Sequence, residues 1–171
     1  MSVDYDVVVV GGGGAGLSAA YHAAKMGASV IIVEAAPSLG GATALASGVV
    51  FAAGTSVQQA AGITDSAEDM YQYMMTLNQW SIKPALARRL AESGAYIIDW
   101  LTELGNEFPP ELIVESGVAD RPRGHQALGA GIGIIQSLIN ATGALGVEVA
   151  LGSRVSDLIV EDGRVVGIRS G

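Results

Sequence analysis

The fold is decided by residues 5–34, YDVVVVGGGGAGLSAAYHAAKMGASVIIVE. Val7–Val10 form a β-branched run, typical of a parallel strand buried on both faces, and the run ends at four consecutive glycines. The Ala-rich stretch over 14–26 predicts a helix, which Gly27 ends, and Ser29–Val33 predicts a second buried strand. The order strand, helix, parallel strand indicates the βαβ unit of an α/β fold.

The glycines between the first strand and the helix fit the pattern G-x-G-x-x-G. In this pattern Gly11 permits a tight turn, Gly13 lets a pyrophosphate approach the backbone, and Gly16 lets the helix pack on the strand. Glu34 closes the second strand, where a carboxylate accepts hydrogen bonds from ribose hydroxyls. The spacing therefore predicts a dinucleotide site. A glycine-rich turn without a ligand is the alternative, and it does not explain the carboxylate at the end of an apolar strand.

A second glycine-containing loop follows Glu34. Gly40 and Gly41 allow the backbone to pass close to a ligand, and Thr43 and Ser47 supply hydroxyls among small residues. We predict that this loop also faces the diphosphate. A pyridine-nucleotide dehydrogenase is a further interpretation of the βαβ unit, and the second loop argues against it.

The runs GGGGAG and VEAAPSLGGATALASG resemble the flavoprotein family of soluble fumarate reductases, succinate dehydrogenase flavoprotein subunits and 3-ketosteroid dehydrogenases. The resemblance implies a Rossmann-like FAD-binding domain with a parallel sheet, a helical insertion and a β-hairpin. It places these residues along the pyrophosphate: Gly11, Gly13, Gly14, Ala15 and Gly16. It places Glu34 at the adenosine ribose, and these residues beside the ribityl chain and flavin: Gly41, Ala42, Thr43, Ser47 and Gly48. The predicted site also includes the adjoining Ala35 and Gly40.

The resemblance bears on how the flavin is attached. In the membrane-bound branch of the family, a histidine in the second loop carries a covalent bond to the flavin. Ala42 stands at the matching position. We therefore expect FAD to be held non-covalently.

Composition limits the remaining function classes. The chain has 171 residues, half of them apolar, which is sufficient for one globular domain with a sizeable core. A net charge of −8 and the absence of a basic run argue against nucleic acid and anionic membrane surfaces as partners. Zero cysteines exclude disulfides and Cys-ligated metal and favour a cytoplasmic location, and we predict no metal site. His22, Lys25 and glycines interrupt the apolar residues 7–33, so we expect no membrane span.

Residues 51–123 are predicted to form a mostly helical insertion between the nucleotide-binding stretches 1–50 and 124–171. Asp65 or Ser66 caps a helix that reaches about Gln79. Its spacing assigns four residues to the core, and these are Met70, Tyr73, Met74 and Leu77. A helix beginning at Lys83-Pro84 is divided in two by Gly94. Its predicted buried stripe consists of Leu86, Leu90, Ile97, Trp100, Leu101 and Leu104. We interpret Trp100 as a packing residue and not as a flavin stacker.

The sequence Arg121-Pro122-Arg123-Gly124-His125 is a cluster of positive charge. The arginines could bind a carboxylate or the flavin phosphates. The alternative is a solvated turn in which His125 makes local hydrogen bonds. The family has a comparable Arg-x-His before a glycine-rich helix start, which implies a structural role more than a catalytic one. We assign no catalytic residue.

The C-terminal stretch predicts a helix, a strand and a hairpin. A helix over 129–145 leads to a strand at 147–151, and a right-handed crossover places this strand in the first sheet. A hairpin follows, with its turn at Glu161-Asp162-Gly163. In the family the start of this hairpin gives adenine a main-chain contact, and the matching residue is Val155.

The resemblance covers the whole chain but only the opening part of family members, so we expect an incomplete FAD-binding domain. We predict the FAD-binding portion of an oxidoreductase that acts on the CH–CH group of a dicarboxylate or a steroid-like substrate. The segment over 54–74 favours the steroid branch. The substrate-binding and catalytic half is predicted to lie outside the chain. The alternative is a non-catalytic module that binds FAD or ADP. Apolar surface left uncovered predicts self-association.

Overall fold

The computed structural model describes residues 4–115, 118 and 121–170. They divide into a first unit, Met1–Ala46 with Ile134–Gly171, and a second unit, Ser47–Gly133. The strands are β1 (Val7–Val10), β2 (Val30–Val33), β3 (Val49–Phe51), β4 (Ile113–Val114), β5 (Gly124–Gln126), β6 (Glu148–Ala150), β7 (Val155–Glu161) and β8 (Arg164–Ser170). The helices are α1 (Gly14–Lys25), α2 (Gly41–Leu45), α3 (Ser56–Ala60), α4 (Ala67–Leu77), α5 (Pro84–Glu103) and α6 (Ala130–Ala144), with a 3₁₀ turn at Pro110–Leu112.

The first unit contains the predicted parallel sheet. Its strand order is β1-β2-β6, with Val8 opposite Ile31 and Ile32 opposite Val149. The α/β class and the position of the third strand in this sheet are therefore confirmed. The predicted hairpin is β7–β8, and its two turn residues, Asp162 and Gly163, both have positive φ. This conformation matches the twist of the flanking strands.

The outer strand of the sheet corrects one expectation. We predicted that β1 would be buried on both faces, but Val10 is 56% exposed. Among the described residues β1 pairs only with β2, so β1 lies at an edge. The central strand β2 holds the buried position instead, with Val30, Ile32 and Val33 in the core. An unbroken valine run is compatible with both positions, because it reports apolar character and not the number of neighbouring strands.

The second unit combines helices with a small antiparallel sheet in the order β3-β5-β4. The sequence pattern predicts no strand at 49–51, whereas β3 occupies these residues. Residues 47–50 and 124–133, predicted among the nucleotide-binding stretches, lie in the second unit. The strand β5 begins at Gly124, where a Cβ would lie 2.7 Å from a methyl group of Val114. The close strand spacing therefore depends on glycine at this position.

The helices α4 and α5 pack through a face that the sequence indicated only in part, since Met70, Trp100 and Leu101 are buried as predicted. The buried residues of α4 are Met70, Tyr71 and Met75, whereas the predicted Leu77 is 52% exposed. On α5 the predicted Leu86 and Leu90 are exposed, and the buried positions are Ala87, Ala91, Gly94, Ile98, Trp100 and Leu101. The large side chains of α4 lie against the small alanines of α5. Volume complementarity, and not leucine content, therefore selected the contact face.

Gly94 does not divide α5, which is continuous from Pro84 to Glu103. A Cβ at Gly94 would lie 3.0 Å from both Cα and Cβ of Ala52. The glycine therefore permits close packing of a helix on a backbone segment, which outweighs its low helix propensity.

Two features are absent from the described residues. No helix there has the length and apolar character needed to cross a membrane. Nor do His, Asp and Glu side chains come together in that part of the chain as a group of three that could hold a metal ion.

Candidate nucleotide site

The turn from β1 into α1 has the geometry that its glycines predict. Gly11 has φ of +98°, and its N–H donates to the carbonyl of Val33 over 2.9 Å. A Cβ at Gly16 would lie 1.9 Å from the carbonyl oxygen of Gly11. No side chain can occupy that position without moving the backbone, so Gly16 sets how closely α1 approaches β1.

The N-terminus of α1 presents backbone N–H groups without a side-chain cap. Gly13 is the N-cap residue, and neither a capping side chain nor an acidic residue lies in the first turn. A Cβ at Gly11 would meet no atom within 4 Å, and one at Gly13 would meet only the Gly40 carbonyl at 3.8 Å. There is therefore space for a ligand beside the backbone. The first-turn amides and the helix dipole favour an anion there.

Glu34 lies at the carboxyl end of β2, where main-chain groups fix its carboxylate. Gly12 N–H donates to Oε2 and Ala36 N–H donates to Oε1, each over 2.7 Å. The hydrogen bond from Gly12, followed by that from Ala36, lowers the pKa of Glu34, so the group is an anion at neutral pH. Each carboxylate oxygen keeps a lone pair that can accept from a ribose hydroxyl.

The structure brings the second loop against the first. Gly40 N–H donates to the Gly12 carbonyl over 2.8 Å, and Gly13 and Gly40 form a bridge. The Thr43 hydroxyl oxygen lies 2.8 Å from where a Cβ of Gly14 would be. The expected loop contains the short helix α2, which carries Thr43 and the exposed Ala42. Thr43 thus lies beside the start of α1, as a shared ligand requires.

Gly12 also belongs to the site, although the sequence pattern does not assign it there. Its N–H orients Glu34, and a Cβ at Gly12 would lie 2.2 Å from the side chain of Leu39. The motif allows any residue at this position, so the presence of glycine there already indicated a place without room for a side chain.

The predicted adenine contact, Val155, begins β7 in the first unit. The preceding turn is tied to the acidic end of β2, because Ser153 N–H donates to the Glu34 carbonyl and Gly152 N–H donates to the Ala36 carbonyl. The exposed Ala35 lies within the same segment. Main-chain hydrogen bonds therefore hold the turn that precedes Val155 beside the segment of Glu34.

Ser47 and Gly48 belong to the second unit. Both carbonyls accept hydrogen bonds there, from Gln126 Nε2 over 2.6 Å and from Ala127 N–H over 3.1 Å. Gly48 has φ of +82°, and a Cβ would lie 2.5 Å from the carbonyl carbon of Ala130. Ala130 itself has φ of +55°.

The cluster from Arg121 to His125 is not a solvated turn. Arg123 and His125 have no exposed surface. Arg123 makes a bidentate ion pair with Asp65, at 2.6 and 2.9 Å, and Arg121 Nη1 lies 2.9 Å from Asp69. The local bond expected of His125 exists, from Nδ1 to the Arg123 carbonyl, but burial and ion pairing were missed because Asp65 is far from Arg123 in sequence.

Burial and hydrogen bonding act oppositely on the buried groups. Burial alone would raise the pKa of Asp65, but hydrogen bonds from Arg123, Gln58 and Ser66 outweigh it and the pKa is lowered. Burial lowers the pKa of His125 although nearby carbonyls of Arg123 and Val50 oppose the shift. Asp65 is therefore charged and His125 neutral at physiological pH.

Residues 6–170 match the model of the FAD binding domain family. The chain belongs to this family. The cofactor is thus FAD, and the uncapped α1 amides, the open space at Gly11 and Gly13, and the Glu34 carboxylate fit its pyrophosphate and ribose.

Two relatives show the sequence similarity. The chain is 38% identical over 168 residues to the NADH:fumarate oxidoreductase of Klebsiella pneumoniae (strain 342), covering 96% of this chain and 18% of the relative. It is 37% identical over 167 residues to the fumarate reductase (cytochrome) of Shewanella frigidimarina, covering 95% and 29%. The chain thus spans less than a third of each relative.

Two solved structures show the fold similarity. A 3-ketosteroid-delta4-(5alpha)-dehydrogenase from Rhodococcus jostii RHA1 matches with a TM-score of 0.88 and 30% identity, over 98% of this chain and 42% of that one. The open conformation of a flavocytochrome c3 fumarate reductase matches with a TM-score of 0.89 and 36% identity, over 96% and 29%. The chain is therefore similar to the FAD-binding part of two enzymes with different substrates.

Proposed function

We propose that the chain is the FAD-binding portion of an oxidoreductase that acts on the CH–CH group of a dicarboxylate or a steroid-like substrate. The observation that carries the proposal is the α1 N-terminus, open beside Gly11 and Gly13 and adjoining the Glu34 carboxylate. Similarity to fumarate reductases and to a ketosteroid dehydrogenase supports the reaction class. The segment over 54–74 favours the steroid branch.

The chain's own residues perform binding and orientation in this proposal. The first-turn amides of α1, Gly14, Ala15 and Gly16, bind the pyrophosphate, while Glu34 accepts from the adenosine ribose. Val155 contributes a main-chain contact to adenine. The bound flavin supplies hydride transfer to or from the substrate carbon. Thr43 and the backbone at Gly41 orient the ribityl chain.

The remaining site residues stay predictions. Ala35 and Gly40 adjoin the contacts above, and Ser47 and Gly48 are proposed to lie beside the ribityl chain and flavin. We also propose non-covalent attachment, since Ala42 offers no nucleophile where the covalent branch has histidine. Acid precipitation should release all flavin into the supernatant, and flavin that stays with the denatured protein would contradict this.

A cytoplasmic location stays a prediction of the cysteine-free composition.

The test of the nucleotide site compares ADP and FAD affinities of single variants by calorimetry. Glu34→Ala and Gly13→Val should each weaken ADP at least tenfold, because one removes the ribose acceptor and the other fills the open space. Glu161→Ala, an exposed carboxylate of the hairpin, is the matched control and should change nothing. Unchanged ADP affinity in Glu34→Ala would refute the assignment.

A second candidate is a module that binds FAD or ADP without catalysing a reaction. It is favoured by the candidate site itself, whose open α1 amides and Glu34 carboxylate account for nucleotide binding without a reaction. Fumarate reduction or dye-linked 3-ketosteroid oxidation by FAD-loaded protein separates the candidates. Turnover without an added polypeptide would refute the module, and FAD binding without turnover would support it.

We further propose self-association through the exposed edge of β1. Gly11 N–H and Val7 N–H both donate towards β2, so the backbone groups of Val8 and Val10 point away from that strand. They line a groove of about 550 Å³ together with apolar hairpin residues such as Val165. Edges of this kind, without Lys or Pro, pair with other strands. Light scattering should show association that Val8→Lys reduces, and a monomer at high concentration would refute the proposal.

A further inference from the structure

The second unit contains a buried series of hydrogen bonds in which every donor-to-acceptor step runs the same way. His125 Nδ1 lies 2.9 Å from the Arg123 carbonyl, and because a carbonyl only accepts, Nδ1 carries the hydrogen. In the neutral ring Nε2 is then an acceptor, so the Thr55 hydroxyl donates to it over 2.7 Å. The Thr55 oxygen accepts from Gln58 N–H over 3.0 Å. Each group thus donates to the next, from Gln58 through Thr55 and His125 to Arg123.

Asp65 connects Gln58 and Arg123, the residues at the two ends of this series of hydrogen bonds. Its carboxylate pairs with Arg123 and also accepts from the side-chain amide of Gln58 over 3.2 Å. Thr55, Gln58, Arg123 and His125 are all buried. Each of the contacts that orient His125 is therefore made inside the unit, away from water, where loss of one partner is costly.

The strand that carries His125 also fixes Ser47 and Gly48. His125 pairs with Val50 in the β3–β5 sheet. The two residues that follow it, Gln126 and Ala127, donate to the Ser47 and Gly48 carbonyls respectively. A shift of β5 therefore moves the donors that fix these two carbonyls.

We propose that His125 and Thr55 are positioning residues for the flavin end of FAD. They act through β5, whose orientation determines the backbone conformation at Ser47 and Gly48. The inference rests on the proposed contact of these two residues with the ribityl chain and flavin. The role differs from both sequence-based interpretations, in which the arginines bind a carboxylate or the flavin phosphates, or the segment is a solvated turn.

The test uses the full chain and compares FAD with ADP, which lacks the flavin end. Thr55→Val removes the hydroxyl at nearly constant volume and should weaken FAD about tenfold while ADP affinity stays unchanged. The flavin absorption maximum should also shift. Thr55→Ser keeps the hydroxyl and should restore both values.

Thr55 also caps α3, so loss of stability needs a control. Ser66→Ala removes the equivalent cap of α4 and should lower stability similarly without changing the ratio of FAD to ADP affinity. If Thr55→Val fails to fold, Gln126→Leu serves as the second variant. Gln126 is only half-buried, and its loss should lower FAD affinity several-fold and leave ADP unchanged.

The outcomes separate this inference from the proposed function. Wild-type protein that binds neither FAD nor ADP refutes the proposed function and, with it, this inference. Wild-type binding of both, with an unchanged FAD-to-ADP ratio in Thr55→Val and Gln126→Leu, refutes the positioning role alone. An equal loss for both ligands also refutes it, because the effect would then be general destabilisation.

Discussion

The two units differ in how their polar groups are satisfied. In the first unit the groups that face the proposed ligand are backbone amides left open by glycines, together with the Glu34 carboxylate, which Gly12 N–H orients. In the second unit the polar groups are side chains that satisfy one another, with Arg123 and His125 fully buried. A binding site needs unpaired donors near solvent, whereas a packed interior needs none. The comparison indicates that open amides mark where a ligand binds and closed networks mark what holds a segment in place.

The largest effect should come from breaking the closed network. Arg123→Met removes the bidentate partner of the buried Asp65 carboxylate and leaves Arg121, at 3.4 Å, as the cation beside it, which should lower the free energy of unfolding by about 3 to 5 kcal/mol. Arg121→Met is the matched control, because Arg121 is partly exposed and its loss should cost under about 1 kcal/mol. Urea denaturation measures both. Equal losses would show that burial of the Arg123–Asp65 pair has no energetic consequence.

A slightly smaller loss of stability is expected at Gly16, where the first unit has no room for a side chain. Gly16→Ala places a methyl group against the Gly11 carbonyl, which should cost about 3 kcal/mol and abolish measurable ADP binding as α1 moves from β1. Gly143→Ala, at an open position of α6, should be neutral or slightly stabilising. Thermal unfolding and calorimetry test the pair. Tolerance of alanine at 16 would contradict the packing.

The pH dependence of stability tests the state of His125. The unfolded histidine binds a proton below about pH 6.5, whereas burial lowers the folded pKa, so the unfolded state binds more protons in this range. Stability should therefore fall as pH falls from about 6.5 towards the folded pKa. The slope for this group is at most about 1.4 kcal/mol per pH unit. The lowered pKa of Asp65 contributes only at lower pH.

Urea denaturation between about pH 5 and 7.5 measures this slope. His125→Asn keeps an N–H donor near the Arg123 carbonyl but does not titrate, so its slope should be shallower. Identical slopes in the two proteins would exclude His125 as the responsible group.

The smallest effect should come from the second loop. Thr43→Val removes a hydroxyl that lies against Gly14 and is half-exposed, so stability should change by less than about 0.5 kcal/mol. FAD affinity should fall a few-fold, with ADP affinity unchanged. Thr43→Ser should behave as the wild type. A large loss of stability in Thr43→Val would mean that this residue is part of the packing and not of the site.

The sequence by itself determined the βαβ unit, the turn glycines, the acidic residue at the end of β2 and the hairpin at Asp162-Gly163. These features are local, because a glycine's positive φ or a valine run depends on neighbours within a few residues. Only the tertiary structure decided that β1 lies at an edge, that α4 packs on the alanines of α5, and that Arg123 meets Asp65. Those outcomes depend on which volumes and charges meet across long stretches of chain, and no spacing within one segment contains that information.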